Sequence, residues 1–94
     1  MPPHRQLPEQ APISVVIPAY DAERYLEACL SDVDRSLVRP LEVIVVDDGS
    51  TDRTAEIARA HGAKVLSTGG PHGPALARNL GAKEARGDIL FFIE

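Results

Sequence analysis

Tryptophan is absent from the 94 residues, cysteine occurs once, and aromatic side chains make up 4% of the chain. The single cysteine, Cys29, excludes an intrachain disulfide framework, and its place inside an apolar helical pattern reads as a small buried thiol rather than a nucleophile. No apolar run approaches the roughly 20 residues of a membrane helix, which leads to an expectation of a cytoplasmic protein, or one reaching the cytosolic face of a membrane only through parts outside this chain. Basic residues are also short: ten Lys and Arg against 14 Asp and Glu give a net charge of −4. They are scattered rather than clustered, which excludes the electrostatic footprint of a nucleic-acid binder. Proline is plentiful in one place only, with Pro2, Pro3, Pro8 and Pro12 in the first twelve residues. That stretch has no apolar core, so it is neither signal peptide nor anchor, and residues 1–12 are expected to be a disordered lead-in.

What is present has the make-up of one globular unit, with 44% hydrophobic residues. From Ile13 onward, short continuous runs rich in Val and Ile alternate with longer segments of helical period. This is the pattern of βαβ units: an α/β fold with a mostly parallel sheet covered on both faces. The strand candidates are Ile13–Ile17, Leu41–Val46, Ala63–Ser67 and Asp88–Ile93, with expected spatial order 3-2-1-4 and right-handed crossovers. Between them lie three helices. The first has Leu26, Cys29, Leu30, Val33 and Leu37 at helical spacing, with Asp21 as its expected N-cap. The second opens at the capping cluster Ser50, Thr51 and Asp52 and ends at Gly62. The third begins at Pro74, ends before Gly87, and carries Gly81 in its interior, where only close packing against the sheet would offset glycine's cost of about 1 kcal/mol.

Open α/β sheets bind ligands outside the carboxyl ends of their strands, so the residues just after each run carry the functional argument. Pro18, Ala19, Tyr20 and Asp21 follow the first strand, Asp47-Asp48-Gly49-Ser50 the second, a glycine-rich Thr68–Pro74 loop the third, and Glu94 the fourth. Two adjacent carboxylates at a buried strand end demand donors or a cation to offset desolvation and repulsion. One can cap the following helix, leaving the other to accept the N–H of a uracil-like base. The Tyr20 ring can pack on a base or ribose, or merely cover the core edge. The Thr68–Pro74 loop has the composition of a phosphate cradle but lacks the Gly-Lys-Ser/Thr of a Walker motif, and His72 within it reads as an exposed side chain. Arg78 and Asn79, early in the third helix, can reach base or phosphate oxygens or form a surface ion pair.

In order and spacing, VVIPAY, IVVDDGSTD and GPALARNLGAKEARGDILFFIE together resemble the N-terminal half of family 2 glycosyltransferases over Ile13–Glu94. The resemblance implies a three-layer Rossmann-like GT-A fold, of which residues 13–94 would be the nucleotide-sugar-binding half. It also implies transfer of a sugar from a nucleoside-diphosphate sugar, a UDP-type donor being favoured, with inversion and with Mg²⁺ or Mn²⁺. In that scheme Pro18, Ala19 and Tyr20 contact the nucleoside, Asp48 beside Asp47 binds the base, and Arg78 and Asn79 line the donor site. Glu94 matches the first acidic position of the metal-binding Asp-x-Asp motif. The second acidic position and the general base fall outside the chain, so these 94 residues are expected to bind donor without turning it over. A non-catalytic nucleotide-binding or structural remnant is the alternative. A nucleotidyltransferase would show a basic, glycine-rich loop after strand one, and PAYDAERY is not one. A phosphoacceptor domain would carry an Asp after strand three, where Ser67-Thr68-Gly69 stands.

Overall fold

The protein was analysed as a computed structural model that describes residues 10–93; residues 1–9 and Glu94 lie outside the described part. Seven elements alternate: β1 (Ala11–Ala19), α1 (Glu23–Asp34), β2 (Pro40–Asp47), α2 (Thr54–Ala60), β3 (Lys64–Ser67), α3 (Pro74–Glu84) and β4 (Ile89–Phe92). The strands form one parallel sheet in the order β3-β2-β1-β4, as the alternation of apolar runs and helices implies. β1 starts two residues earlier than the apolar run, so Ala11 and Pro12 belong to the sheet and not to a lead-in. Pro12 is tolerated there because the register slips between Ala11↔Pro40 and Ser14↔Glu42, giving β1 one residue more than β2 and relieving the ladder of a donor that proline lacks.

Alternation along the strands divides the core into two layers. Val15, Ile17, Ala19 and Val45 pack with Leu26 and Leu30 of α1 and Ala58 of α2 on one face. Val16, Ile44 and Val46 pack with Ala77 of α3 on the other, completing three layers. Gly81 fulfils its expected role: a Cβ there would press on Val16 and lie 3.2 Å from Val46 Cγ2, so glycine lets α3 lie close on the sheet. α2 ends as anticipated, with Gly62 at φ 81°. The Gly62 amide donates to the Arg59 carbonyl at 2.9 Å and the Ala63 amide to Ala58 at 3.1 Å, the paired bonds of a Schellman motif. Gly87 is different from expectation. It is not the left-handed end of α3; its amide donates to the buried Ser14 hydroxyl at 2.8 Å, and a Cβ there would crowd the Ser14 backbone. Ser14 in turn donates to Glu42 at 2.7 Å, and the Arg86 amide donates to the same carboxylate at 2.6 Å, which ties the α3–β4 connection to the amino ends of β1 and β2.

β4 pairs with β1 alone among the described residues, and Ile89, Leu90, Phe91 and Phe92 are all exposed. Ile89, Phe91 and Ile93 open onto a groove of about 570 Å³ beside Val33 of α1. Exposed apolar strand of this kind promotes association. Sedimentation velocity at rising concentration should therefore show self-association, and Phe91→Lys should return the chain towards monomer. A wild-type chain that stays monomeric at millimolar concentration contradicts this. None of the described helices is long and apolar enough to cross a membrane.

Candidate functional site

The pairing Ala19↔Asp47 brings the carboxyl ends of β1 and β2 level, and the Asp48 amide donates to the Ala19 carbonyl at 2.9 Å. Pro18, Ala19, Tyr20, Asp47 and Asp48 therefore share one edge of the sheet. Pro18 can end a central strand for a local reason. Val16 accepts from the Ile93 amide on the β4 side and Ala19 from Asp48 on the β2 side, so alternation turns the missing Pro18 donor towards β4, beyond the last pair Val16↔Phe92. Ala19 is buried, whereas Tyr20 is 53% exposed at the edge.

The acidic pair has partners inside the chain. Asp47 accepts the Ser50 amide at 3.0 Å and so closes the tight turn after β2. Asp48 is buried and accepts three bonds: from the Thr68 hydroxyl and the His72 amide at 2.8 Å on Oδ1, and from the Gly73 amide at 2.7 Å on Oδ2. The demand for donors that this pair poses is thus met by the Ser50 amide for Asp47 and by the Thr68–Gly73 loop for Asp48, and neither carboxylate caps α2. That cap is Asp52, which accepts the Thr54 amide at 2.9 Å and the Thr54 hydroxyl, and α2 begins at Thr54 rather than at Ser50. A carboxylate offers about four acceptor positions, so Oδ2 retains room for one further donor.

The loop after β3 is consequently built, not plain. Thr68 donates to Asp48 and accepts the Gly70 amide at 3.0 Å, and its own amide donates to the Asp47 carbonyl at 3.1 Å. Gly70 is required, since a Cβ would lie 2.7 Å from Asp48 Oδ1. The loop delivers Gly73 and the start of α3 to Asp48. Arg78 is half-buried and Asn79 exposed in the second turn of α3, one turn back from the edge. The His72 side chain is exposed, in line with expectation.

Asp21 does not cap α1. It adopts φ 47°, its amide donates to Ser50 Oγ at 2.8 Å, and its carboxylate accepts the Thr51 amide at 2.8 Å. The amino end of α1 is capped instead from the other loop. The Ala22 amide donates to Thr54 Oγ1 at 2.9 Å and the Glu23 amide to Asp52 at 3.1 Å, while Glu23 accepts the Arg53 amide at 3.0 Å. Each loop thus supplies the other's capping groups, with partners some thirty residues apart, and only the density of Asp, Ser and Thr after β2 signals it in the sequence.

Cys29 is half-buried; burial, followed by the nearby Asp32 charge, pushes its thiol pKa up, in keeping with an inert side chain. The Thr68 hydroxyl first, then the His72 and Gly73 amides, hold the Asp48 pKa below its ordinary value. Burial pushes Asp52 and Glu42 up, but their hydrogen bonds, led by those from Thr54 and Ser14 respectively, outweigh it and leave both lowered. Groups whose pKa is lower folded than unfolded contribute stability that is present above the unfolded value and lost as the pH falls through the folded one. Thermal melts should therefore be flat near neutrality and drop below about pH 4. The drop should shrink in Asp48→Asn, which removes one of the three groups; a wild-type melting temperature unchanged down to about pH 3 contradicts the assignment.

Among the described residues no group of three or more His, Cys, Asp or Glu side chains is arranged to hold a metal, and Glu94, the expected metal ligand, lies outside them. The described residues alone do not fit a divalent cation.

An uncharacterized glycosyltransferase of Haemophilus influenzae is 39% identical over 88 residues, covering 87% of this chain and 35% of that protein. The crystal structure of glucosyl-3-phosphoglycerate synthase from Mycobacterium tuberculosis, in complex with Mn²⁺, uridine diphosphate and glucosyl-3-phosphoglycerate, superposes with a TM-score of 0.64 at 40% identity, over 86% of this chain and 32% of that one. TarS of S. aureus superposes with a TM-score of 0.76 at 33% identity, over 86% of this chain and 16% of that one. The chain thus spans about a third or less of these proteins. The sequence profile of glycosyl transferase family 2 matches residues 14–94, and with the parallel α/β sheet and its GT-A relatives this shows that the chain belongs to that family.

Proposed function

We propose that the strand-end edge binds the nucleoside diphosphate of a UDP-type sugar donor, as part of a transferase that passes the sugar to an acceptor hydroxyl. The observation that carries this reading is the convergence of Tyr20, buried Asp48 and the start of α3 at one edge of the parallel sheet. In this reading the remaining acceptor position on Asp48 Oδ2 takes the N–H of the base, and the exposed Tyr20 ring packs on it. Pro18 and Ala19 line the nucleoside, and Arg78 and Asn79 lie on the diphosphate side. Glycosyl transfer in the family is assisted by Mg²⁺ or Mn²⁺, which neutralises charge on the leaving diphosphate when bound, and Glu94 is the position proposed to contact it. In this reading these residues supply donor binding, and no sugar transfer is expected from them alone.

Uridine diphosphate release from UDP-glucose or UDP-N-acetylglucosamine, measured with Mn²⁺ and with water or simple alcohols as acceptors, tests the second half of that statement. No release above the blank is expected. Sustained, protein-dependent release would show that these residues hold a complete catalytic centre.

A further inference from the structure

We propose that Asp21 positions Tyr20 for the base, acting through the backbone and through the loop that follows β2. The proposal rests on the donor-site reading above. Tyr20 makes no side-chain hydrogen bond among the described residues and is half exposed, so packing does not fix its direction. Its direction is set by the chain on either side. On one side the Asp48 amide holds the Ala19 carbonyl. On the other, Asp21 is the one described non-glycine residue with positive φ, and this sharp reversal makes the strand turn away immediately after Tyr20. A left-handed residue with a side chain is uncommon, and Asp and Asn are among the few that adopt it readily.

Asp21 is held in that state from two directions. Its amide donates to Ser50 Oγ, and its carboxylate accepts the Thr51 amide, both at 2.8 Å. Ser50 is in turn fixed by Asp47, the neighbour of Asp48. The connection from Asp47 through Ser50 to Asp21 therefore ties the residue at which the chain turns after Tyr20 to the loop that carries the base acceptor. The two proposed base contacts, ring and carboxylate, keep one spacing because one hydrogen-bonded clasp holds both loops. A purely structural role for Asp21 would require the clasp only for folding; a positioning role requires, in addition, that its loss loosen Tyr20 in a chain that remains folded.

Three substitutions separate its functions. Asp21→Asn keeps both the tolerated backbone conformation and an oxygen for the Thr51 amide. Asp21→Gly keeps the conformation and loses the acceptor. Asp21→Ala loses both. Each variant of the full chain is examined by ¹⁵N relaxation and by titration with uridine diphosphate, followed through amide shifts. The Tyr20 amide order parameter should remain about 0.85 in wild type and Asp21→Asn and fall below about 0.6 in Asp21→Gly, with amides of β2 and α3 unmoved. Affinity should be unchanged in Asp21→Asn and about fivefold weaker in Asp21→Gly and Asp21→Ala. Adding Tyr20→Ala to Asp21→Gly should bring little further loss, because the two act on one contact. Order at Tyr20 that survives in Asp21→Gly, or losses from Asp21→Gly and Tyr20→Ala that simply add, would overturn the proposal. Absence of nucleotide binding by the wild-type chain would instead remove the donor-site reading, while the relaxation comparison would still decide whether Asp21 holds Tyr20.

Discussion

Replacing Gly49 with alanine should destabilise the fold by about 3–4 kcal/mol, which lowers the melting temperature by roughly 12–25 °C for a chain of this size. Two costs combine. Gly49 sits at φ 81°, where a side chain costs about 1–2 kcal/mol. In addition, a Cβ there would overlap the Gly70 carbonyl group and lie 2.7 Å from the Pro71 nitrogen. The obstacle is backbone rather than a flexible side chain, and that backbone cannot easily retreat: the Gly70 amide is held by Thr68, and the following amides by Asp48. Gly62→Ala provides the control, because it has the same φ of 81° and nothing within 4 Å of a new Cβ. It should show only the conformational part, about 1–2 kcal/mol. Equal losses at the two positions in denaturant titrations would show that the Gly49–Gly70 contact is not rigid.

Asp48→Asn should have the larger effect on binding. The carboxylate accepts from Thr68, His72 and Gly73, and an amide turns one of its two acceptor oxygens into a donor facing an N–H or O–H. Either the Thr68–Gly73 loop or the base then loses its partner. Uridine diphosphate affinity should fall at least about tenfold from an already millimolar value of roughly −4 kcal/mol, and the melting temperature should fall by several degrees at neutral pH. Thr68→Val, which removes a hydroxyl of the loop but leaves the carboxylate, should destabilise the loop while retaining more of the affinity. Calorimetric titration of the two variants, paired with their melts, checks this; unaltered affinity in Asp48→Asn removes Asp48 from the base site.

Much of this arrangement was legible from short-range patterns. The Val and Ile runs around Val16 and Val45 marked central strands because only a sheet covered on both faces buries every residue of such a run, and Val16, Val45 and Val46 are fully buried. Strand order and the convergence of Tyr20 with Asp48 followed from the general topology of βαβ units. What escaped was interaction at long sequence separation. Asp21 has the composition and place of an N-cap, and nothing local reveals that Thr51, thirty residues on, takes its carboxylate. The acidic pair does need donors, but they come from within the chain, from Ser50 for Asp47 and from a loop beginning at Thr68 for Asp48, rather than from a ligand alone. Gly87 matched the rule for a helix end, while its position is set by the hydroxyl of Ser14 on a strand 73 residues earlier.

The central claim is that the carboxyl edge of β1 and β2 is a nucleotide site, and amide chemical-shift mapping on the ¹⁵N-labelled chain tests it most directly. Titration with uridine, uridine diphosphate and uridine diphosphate plus Mn²⁺ should move the amides of Ala19 to Ala22, Asp47 to Ser50 and Thr68 to Asn79. Dissociation constants should lie in the millimolar range and be similar for the nucleoside and its diphosphate, with little response to Mn²⁺. Shifts confined to the groove lined by Val33, Phe91 and Ile93, or no shifts at saturating nucleotide, would contradict the account.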